Sequence, residues 1–279
     1  MMIKKIFYKI CWQLSKALNI KSINKNLAIL NLENNYAKIR EKNKNDLILF
    51  GRKVFSQSDE DGIIDEIFKR ISIKSKYFIE IGIQDGKECN TTNLLFQNWK
   101  GIWIEKDQKY AEAAKTNFER YSENLRIINE GANINNINKL LSNNIHNDFK
   151  NTEIDLLSID IGLNNYHVLK AITSIKPRVI VTEYNAKFGP IIDWVAKYDD
   201  TKEWDNSDYF GASFNAYYKM LNDKNYHLVS CNITGVNCFF VRKDLLNDKF
   251  DKDHDLIKLY QPARYNLIKA FEPDLKIRI

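Results

Sequence analysis

Five short apolar runs, Tyr77–Ile81, Gly101–Glu105, Leu125–Asn129, Ile154–Asp160 and Arg178–Glu183, alternate with helical periodicity near 59–71, 91–98, 108–121, 135–142 and 164–174. Such alternation predicts a largely parallel sheet, because parallel neighbours need a helix-length crossover between them. Two further runs, Tyr226–Cys231 and Asn237–Arg242, follow a helical pattern at 211–223 and are joined only by Asn232–Val236, which contains Gly235. They are expected to pair antiparallel. The fold class this order predicts is α/β: a Rossmann-like, doubly wound, mostly parallel seven-stranded sheet with a C-terminal antiparallel hairpin, preceded by N-terminal helices.

Charge divides the chain. Residues 1–53 hold 12 Lys+Arg and 3 Asp+Glu, leaving 30 and 33 beyond, so the net +6 is a basic segment joined to a mildly acidic body. The division expected is a basic helical segment over 1–52 and the sheet domain over 53–279. Ile3, Ile6, Phe7, Ile10, Leu14, Ala17 and Leu18 fall on one helical face, and Lys4, Lys5, Lys9, Gln13 and Lys16 on the other. Such a helix either packs on its own domain or lets residues 3–18 meet an anionic membrane surface. A second helix is expected from Ser22, as N-cap, to Lys42, with 41–46 as a polar linker. No run reaches the ~18 apolar residues of a spanning helix, and Cys11, Cys89, Cys231 and Cys238 form no CxxC pair. The expected location is the cytoplasm, with association at the inner membrane face as the alternative. Nucleic acid is not an expected partner, since the basic segment lacks interleaved aromatics and the sheet domain is net acidic.

The chemistry concentrates at strand ends. Tyr77-Phe-Ile-Glu80-Ile-Gly82-Ile-Gln-Asp85-Gly86 is an apolar strand ending in a carboxylate, then two of only 10 glycines. Glycines at a first strand-to-helix turn let the chain pass close beneath a ligand. The spacing is not GxGxxG, which disfavours a dinucleotide. About 20 residues on, Glu105 ends the second strand, where an acid can accept hydrogen bonds from both ribose hydroxyls of a nucleotide-like ligand. The first loop resembles the first motif of class I S-adenosylmethionine-dependent methyltransferases. That resemblance implies that Glu80 and the loop backbone hold the amino-acid end of the cofactor. Ala132 and Asn133, after the third strand, are placed for its adenine edge, and Gln57 and Asp61 for closing the site from above.

Asp160, Glu183 and Asn185 end the fourth and fifth strands, in the crevice where open α/β sheets bind ligands. Their oxygens suit Mg²⁺ or Mn²⁺, or hydrogen bonding to an acceptor without metal. His167 is either a substitute base or an ordinary helix-start histidine. The segment Tyr184–Phe210, with Trp194, Tyr198, Trp204 and Tyr209 among its acids, is either a sugar-recognising mouth or a packed lid.

Several segments together resemble a narrower family. Ser56-Gln57-Ser58-Asp59-Glu60-Asp61-Gly62-Ile63-Ile64, Asn90-Thr91-Thr92-Asn93-Leu94, Leu157-Ser158-Ile159-Asp160-Ile161, Glu183-Tyr184-Asn185, Tyr209-Phe210-Gly211-Ala212-Ser213 and Cys231-Asn232 through Arg242 look like FkbM-type methyltransferase-like proteins of bacterial surface-polysaccharide biosynthesis. The likeness covers about 53–245. It implies O-methylation of a sugar or (phospho)glycan precursor. The cofactor set it implies is Gln57, Asp61, Glu80, Gly82, Asp85, Gly86, Asn90, Thr91, Glu105, Ala132, Asn133 and Asp160, with Asp160, Glu183, Asn185 and His167 facing the acceptor. One loop departs. Such proteins read Ser-Ile-Asp-Ile-Asp-Gly-x-Asp-Tyr after the fourth strand, whereas here Gly162, Leu163 and Asn165 replace the second acid, the glycine and the third acid. If those acids are catalytic, the alternative is a degenerate cofactor-binding or assembly protein of a glycan pathway.

Overall fold

The computed structural model describes residues 4–5, 9, 12–13, 16, 19–145, 153–202, 204–250 and 256–272. The strands are β1 (Tyr77–Ile81), β2 (Lys100–Glu105), β3 (Leu125–Asn129), β4 (Leu156–Ile159), β5 (Val179–Glu183), β6 (Tyr226–Cys231) and β7 (Asn237–Arg242), in the order β3-β2-β1-β4-β5-β7-β6. The first five run parallel, and β7 inserts antiparallel between β5 and β6, so six strands share one direction. The expected sheet and hairpin are both present. Strand β4 is shorter than the expected 154–160 and stops at Ile159, which leaves Asp160 just beyond it.

Side-chain alternation sorts the two faces. Tyr77, Ile79, Ile81, Ile102, Ile104, Leu157, Ile159 and Phe240 enter one core. It is covered by α5 (Ile137–Asn144), α6 (Asn165–Ala171) and α7 (Phe214–Asp223). Phe78, Trp103, Leu156, Val179, Val181 and Phe239 enter the other, under α2 (Glu60–Ile71), α3 (Thr92–Phe96) and α4 (Gln108–Asn117). Two residues further along the same strands, Glu80, Glu105 and Glu183 therefore fall on the α2 side, as does Asp160 by the same count. One row of acids crosses the C-terminal edge of the sheet.

Helix α1 (Ile20–Lys42) starts two residues before the expected Ser22, after Asn19 at φ 49°. Ala28, Leu32, Tyr36 and Ile39 pack it against Ile48, Ile233, Leu267 and Phe271. The expected linker is an ordered turn. Asn43 N donates to Ile39 O at 2.9 Å, and Asp46 Oδ1 accepts from Ile48 N at 3.2 Å, starting a single 3₁₀ turn at Leu47–Phe50. The apolar residues expected on the first helix, Ile3 to Leu18, lie outside the described residues.

Candidate active site

The acids of the row differ in how many donors they already hold. Glu80, only 5% exposed, accepts four hydrogen bonds: Asn90 N at 3.0 Å and Ser158 Oγ at 3.1 Å on Oε1, Thr91 N at 2.9 Å and Thr91 Oγ1 at 2.5 Å on Oε2. A carboxylate offers about four lone-pair positions, so this one is saturated. Glu80 therefore fastens the corner at Asn90 and Thr91 and has no oxygen left for the cofactor's amino-acid end. Asn90 Nδ2 in turn donates to Ser158 Oγ at 3.1 Å, and Thr91 Oγ1 accepts from Trp103 Nε1 at 2.8 Å. Both belong to this scaffold.

The glycine pair is also required by the protein itself. At Gly82, φ +87°, a Cβ would lie 1.8 Å from the carbonyl oxygen of Asp160. At Gly86, φ +83°, it would strike the rings of Trp103 and Phe118 at 2.6 and 2.7 Å. The expected clearance for a ligand is thus clearance for β4 and for two core aromatics. Asp85 pairs with Lys87 Nζ at 2.7 Å at the margin of the turn.

Glu105 is different. Its Oε2 accepts from Gln84 N at 2.7 Å and its Oε1 from Asp107 N at 2.9 Å, one donor on each oxygen. Both oxygens keep acceptor capacity beside the β1 turn. The Asn133 side chain has a local task instead: Oδ1 accepts from Asn135 N at 2.9 Å and Asn136 N at 3.1 Å ahead of α5, while Ala132 packs at the edge of the core. Gln57 is exposed. Asp61, 1% exposed, gathers Val54 N, Phe55 N and Ser56 N on Oδ2 at 2.7, 2.7 and 2.9 Å, and its Oδ1 is buried without a hydrogen-bond partner. Burial pushes this carboxyl upward.

Asp160 and Glu183 meet at the ends of β4 and β5. Asp160 is exposed to solvent on one side, with protein on its others. The two carboxyls share a hydrogen bond, and Gly162 N supports Asp160. Burial raises both, and the nearby Asp160 charge adds to the rise at Glu183. Two acids in contact cannot both ionise cheaply, so Glu183, the more strongly raised of the two, is held toward its protonated form. Glu60, at the start of α2, adds its negative charge from above.

The oxygen set expected for Mg²⁺ or Mn²⁺ is not assembled. Asn185 is fully buried and turned away: Nδ2 donates to Asp208 O at 2.8 Å and Phe210 O at 3.2 Å. Among the described residues no three His, Cys, Asp or Glu side chains gather to hold a metal ion. Asn185 thus anchors the segment 184–210 rather than facing an acceptor.

The altered loop serves the same segment. Asn164, at the variable position of the motif, pairs reciprocally with Asp199: Nδ2 donates to Asp199 O at 2.8 Å and Oδ1 accepts from Asp199 N at 3.1 Å. His167 Nε2 lies 2.7 Å from Ala196 O, which can only accept, so Nε2 carries the proton there. Asn165 is buried, donating to Thr182 Oγ1 at 2.8 Å and the Tyr217 hydroxyl at 3.1 Å. An acid at 165 would therefore stand in the core, not in the cleft. Gly162, at φ +67°, abuts Trp204, whose half-exposed ring borders Phe210.

No family model and no curated protein matches the chain. Among solved structures, it is similar to a putative caffeoyl-CoA O-methyltransferase from Staphylococcus aureus (14% identity, 79% of this chain and 99% of that chain, TM-score 0.46). It is similar also to the N-terminal domain of EvdMO1 with S-adenosylhomocysteine bound (12%, 67% and 80%, 0.43). A third is the O-methyltransferase TomG from Streptomyces achromogenes in complex with S-adenosylmethionine (11%, 66% and 78%, 0.42). The fold is Rossmann-like, a mixed seven-stranded sheet with one antiparallel strand between β5 and β6. Within that fold the acid pair occupies the crevice beyond the carboxyl ends of β4 and β5, where open α/β sheets bind ligands.

Proposed function

We propose that the chain is an S-adenosylmethionine-dependent methyltransferase acting on a hydroxyl of a sugar or (phospho)glycan precursor in bacterial surface-polysaccharide biosynthesis. The observation that carries the reading is Asp160, solvent-accessible at the end of β4 and hydrogen-bonded to the Glu183 carboxyl. When bound, S-adenosylmethionine supplies an electrophilic methyl on a positively charged sulfur. Glu105 fits its ribose, since each carboxylate oxygen has one acceptor position left for a hydroxyl.

The rest is the work of this chain's own residues. Asp160 accepts the proton of the acceptor hydroxyl as the oxygen forms its bond to the methyl carbon and the carbon–sulfur bond breaks. With its carboxyl raised by the protein around it and by the Glu60 charge, Asp160 is a stronger base than an isolated carboxylate, and positioned bases of this kind contribute about 10²–10⁴-fold. Glu183, hydrogen-bonded to it, keeps Asp160 oriented. Trp204 and Tyr209, 48% and 50% exposed, offer open rings on which the apolar face of a sugar can stack. The alternative of a degenerate binding protein draws no support from Asn165, whose side chain lies in the core.

Calorimetry with S-adenosylhomocysteine and turnover on extracted surface-glycan intermediates test the reading. The wild type is expected to bind, and Glu105→Ala to bind at least about tenfold more weakly through loss of charge-assisted hydrogen bonds. Asp160→Asn is expected to bind normally while turnover falls about 10²-fold or more. No binding by the wild type, or full turnover by Asp160→Asn, overturns it.

A further inference from the structure

Helix α1 is apolar on two sides. One side packs on the body through Ala28, Leu32, Tyr36 and Ile39. On another, Ile20, Ile23, Leu27 and Leu30 are 40%, 51%, 52% and 58% exposed. Their spacing of three, four and three residues places them in one line along the helix, about 15 Å long at 1.5 Å per residue. Four aliphatic side chains in line on a solvent face are unlike the scattered exposed apolar residues of an ordinary surface.

Beside the start of this line lies an open cleft of about 400 Å³ between α1 and the C-terminal 3₁₀ helix Tyr265–Phe271. Lys16, Lys21, Lys25 and Lys269 line it, against the single acid Glu272. Glu272 places two of the lysines: Lys25 Nζ donates to its carbonyl at 2.7 Å, and Lys21 Nζ lies 3.8 Å from its carboxylate. Lys16 sits over the ring of Trp12, which is itself 57% exposed.

We infer that this face docks on an anionic lipid bilayer, with the aliphatic line entering the interface and the four-lysine cleft meeting phospholipid headgroups. Three features select that occupant. Exposed aliphatic side chains next to a cluster of lysines suit an anionic membrane interface, where the aliphatic groups leave water and the lysines meet headgroup charge. A second copy would bring together two segments that each hold 12 Lys+Arg against 3 Asp+Glu, which repel at contact distance. A nucleic acid would engage the lysines but leave the aliphatic line in water. The described residues include no helix long and apolar enough to cross a membrane, so the contact is peripheral. The inference does not depend on the chemistry of the cleft above β4.

The test is sedimentation of the full-length protein with extruded vesicles of pure phosphatidylcholine or of phosphatidylcholine containing phosphatidylserine. At about 0.1 M ionic strength the anionic vesicles are expected to bind at least tenfold more protein, since each lysine near the surface adds appreciably. About 1 M salt should remove the preference. Lys16→Glu with Lys21→Glu should abolish it. Leu27→Ser with Leu30→Ser should weaken binding to both vesicle types, with the far-ultraviolet dichroism of the wild type retained. Equal binding to both vesicle types, indifference to both variant pairs, or a dimer in sedimentation equilibrium that Leu27→Ser dissociates overturns the inference.

Discussion

Strand β4 is flanked by two aspartates five residues apart, and the protein treats them in opposite ways. Asp155, before the strand, is fully buried and closed. Arg178 Nη1 lies 2.6 Å from its Oδ1, while Ser75 N and Lys76 N donate to Oδ2 at 2.7 and 2.8 Å. Arg178 in turn ties the carbonyls of Ile71 and Ser72, at 3.0 and 2.8 Å. The pair thus joins the end of α2 to the start of β4 and β5. Asp160, after the strand, is exposed and makes no ion pair among the described residues; its company is another acid. The same side chain is closed by its partners where its charge is fully met and stays open to solvent where it is not. At this edge of the sheet, burial without a cation raises a carboxyl and keeps it available.

Substitution at each end sets the contrast at its largest. Asp155→Ala leaves the buried Arg178 guanidinium with only the part-exposed Glu153 carboxylate, 3.9 Å from its Nε, and is expected to lower stability by about 3–5 kcal/mol in urea denaturation. Asp160→Asn removes a raised carboxyl that no cation stabilises, so its stability should stay within about 1 kcal/mol of wild type or exceed it. If Asp160→Asn destabilised as much as Asp155→Ala, Asp160 would be structural too and the contrast would fail.

The sequence anticipates what is local and periodic. Strand and helix positions are legible because short apolar runs and helical spacing record burial directly, as in β1, where all five residues are buried. The acids at strand tips are legible as a set. Their division of labour is not, because the deciding donors come from elsewhere in the chain. Glu80 is saturated by Asn90, Thr91 and Ser158, and Gly86 is demanded by Trp103 and Phe118. Asn185 looks like an acceptor-facing amide until the chain doubles back to bring it the carbonyls of Asp208 and Phe210. Nor could spacing show that two separate motifs dock on each other. Asn232 Nδ2 donates to Glu60 Oε1 at 2.7 Å, and Ile233 N to Asp59 Oδ2 at 3.1 Å.

That docking yields a second way to sharpen the contrast between met and unmet charge. Asp59 and Glu60 are fully buried and neither makes an ion pair among the described residues. Burial and the Glu60 charge push Asp59 up to about 7. A carboxyl raised on folding binds its proton more tightly in the native state than in the unfolded one. Its stabilisation is therefore complete below the unfolded value near 4 and is lost as pH rises toward 7. The Asp59 carboxyl is expected to make the protein more stable to urea at pH 5 than at pH 8, by at most about 3 kcal/mol. Asp59→Asn should flatten that slope. An unchanged slope would move the titration to another group.

The smallest effect concerns the segment that closes over the open end. Asn164 holds Asp199 by two reciprocal hydrogen bonds in a half-buried setting, and each such bond contributes about 0.5–1.5 kcal/mol. Asn164→Ala removes both without touching the Asp160–Glu183 pair, so global stability should fall by only about 1–2 kcal/mol. Local opening should respond more strongly, because segments with few buried contacts open independently of the core. Cleavage within 194–204 by a trace of protease is therefore expected to speed up about tenfold, with the rest of the chain intact. Asn164→Asp keeps an acceptor for Asp199 N but loses the donor to Asp199 O, and should fall between the two. Equal cleavage in all three proteins would show that His167 and Asn185 hold the segment without Asn164.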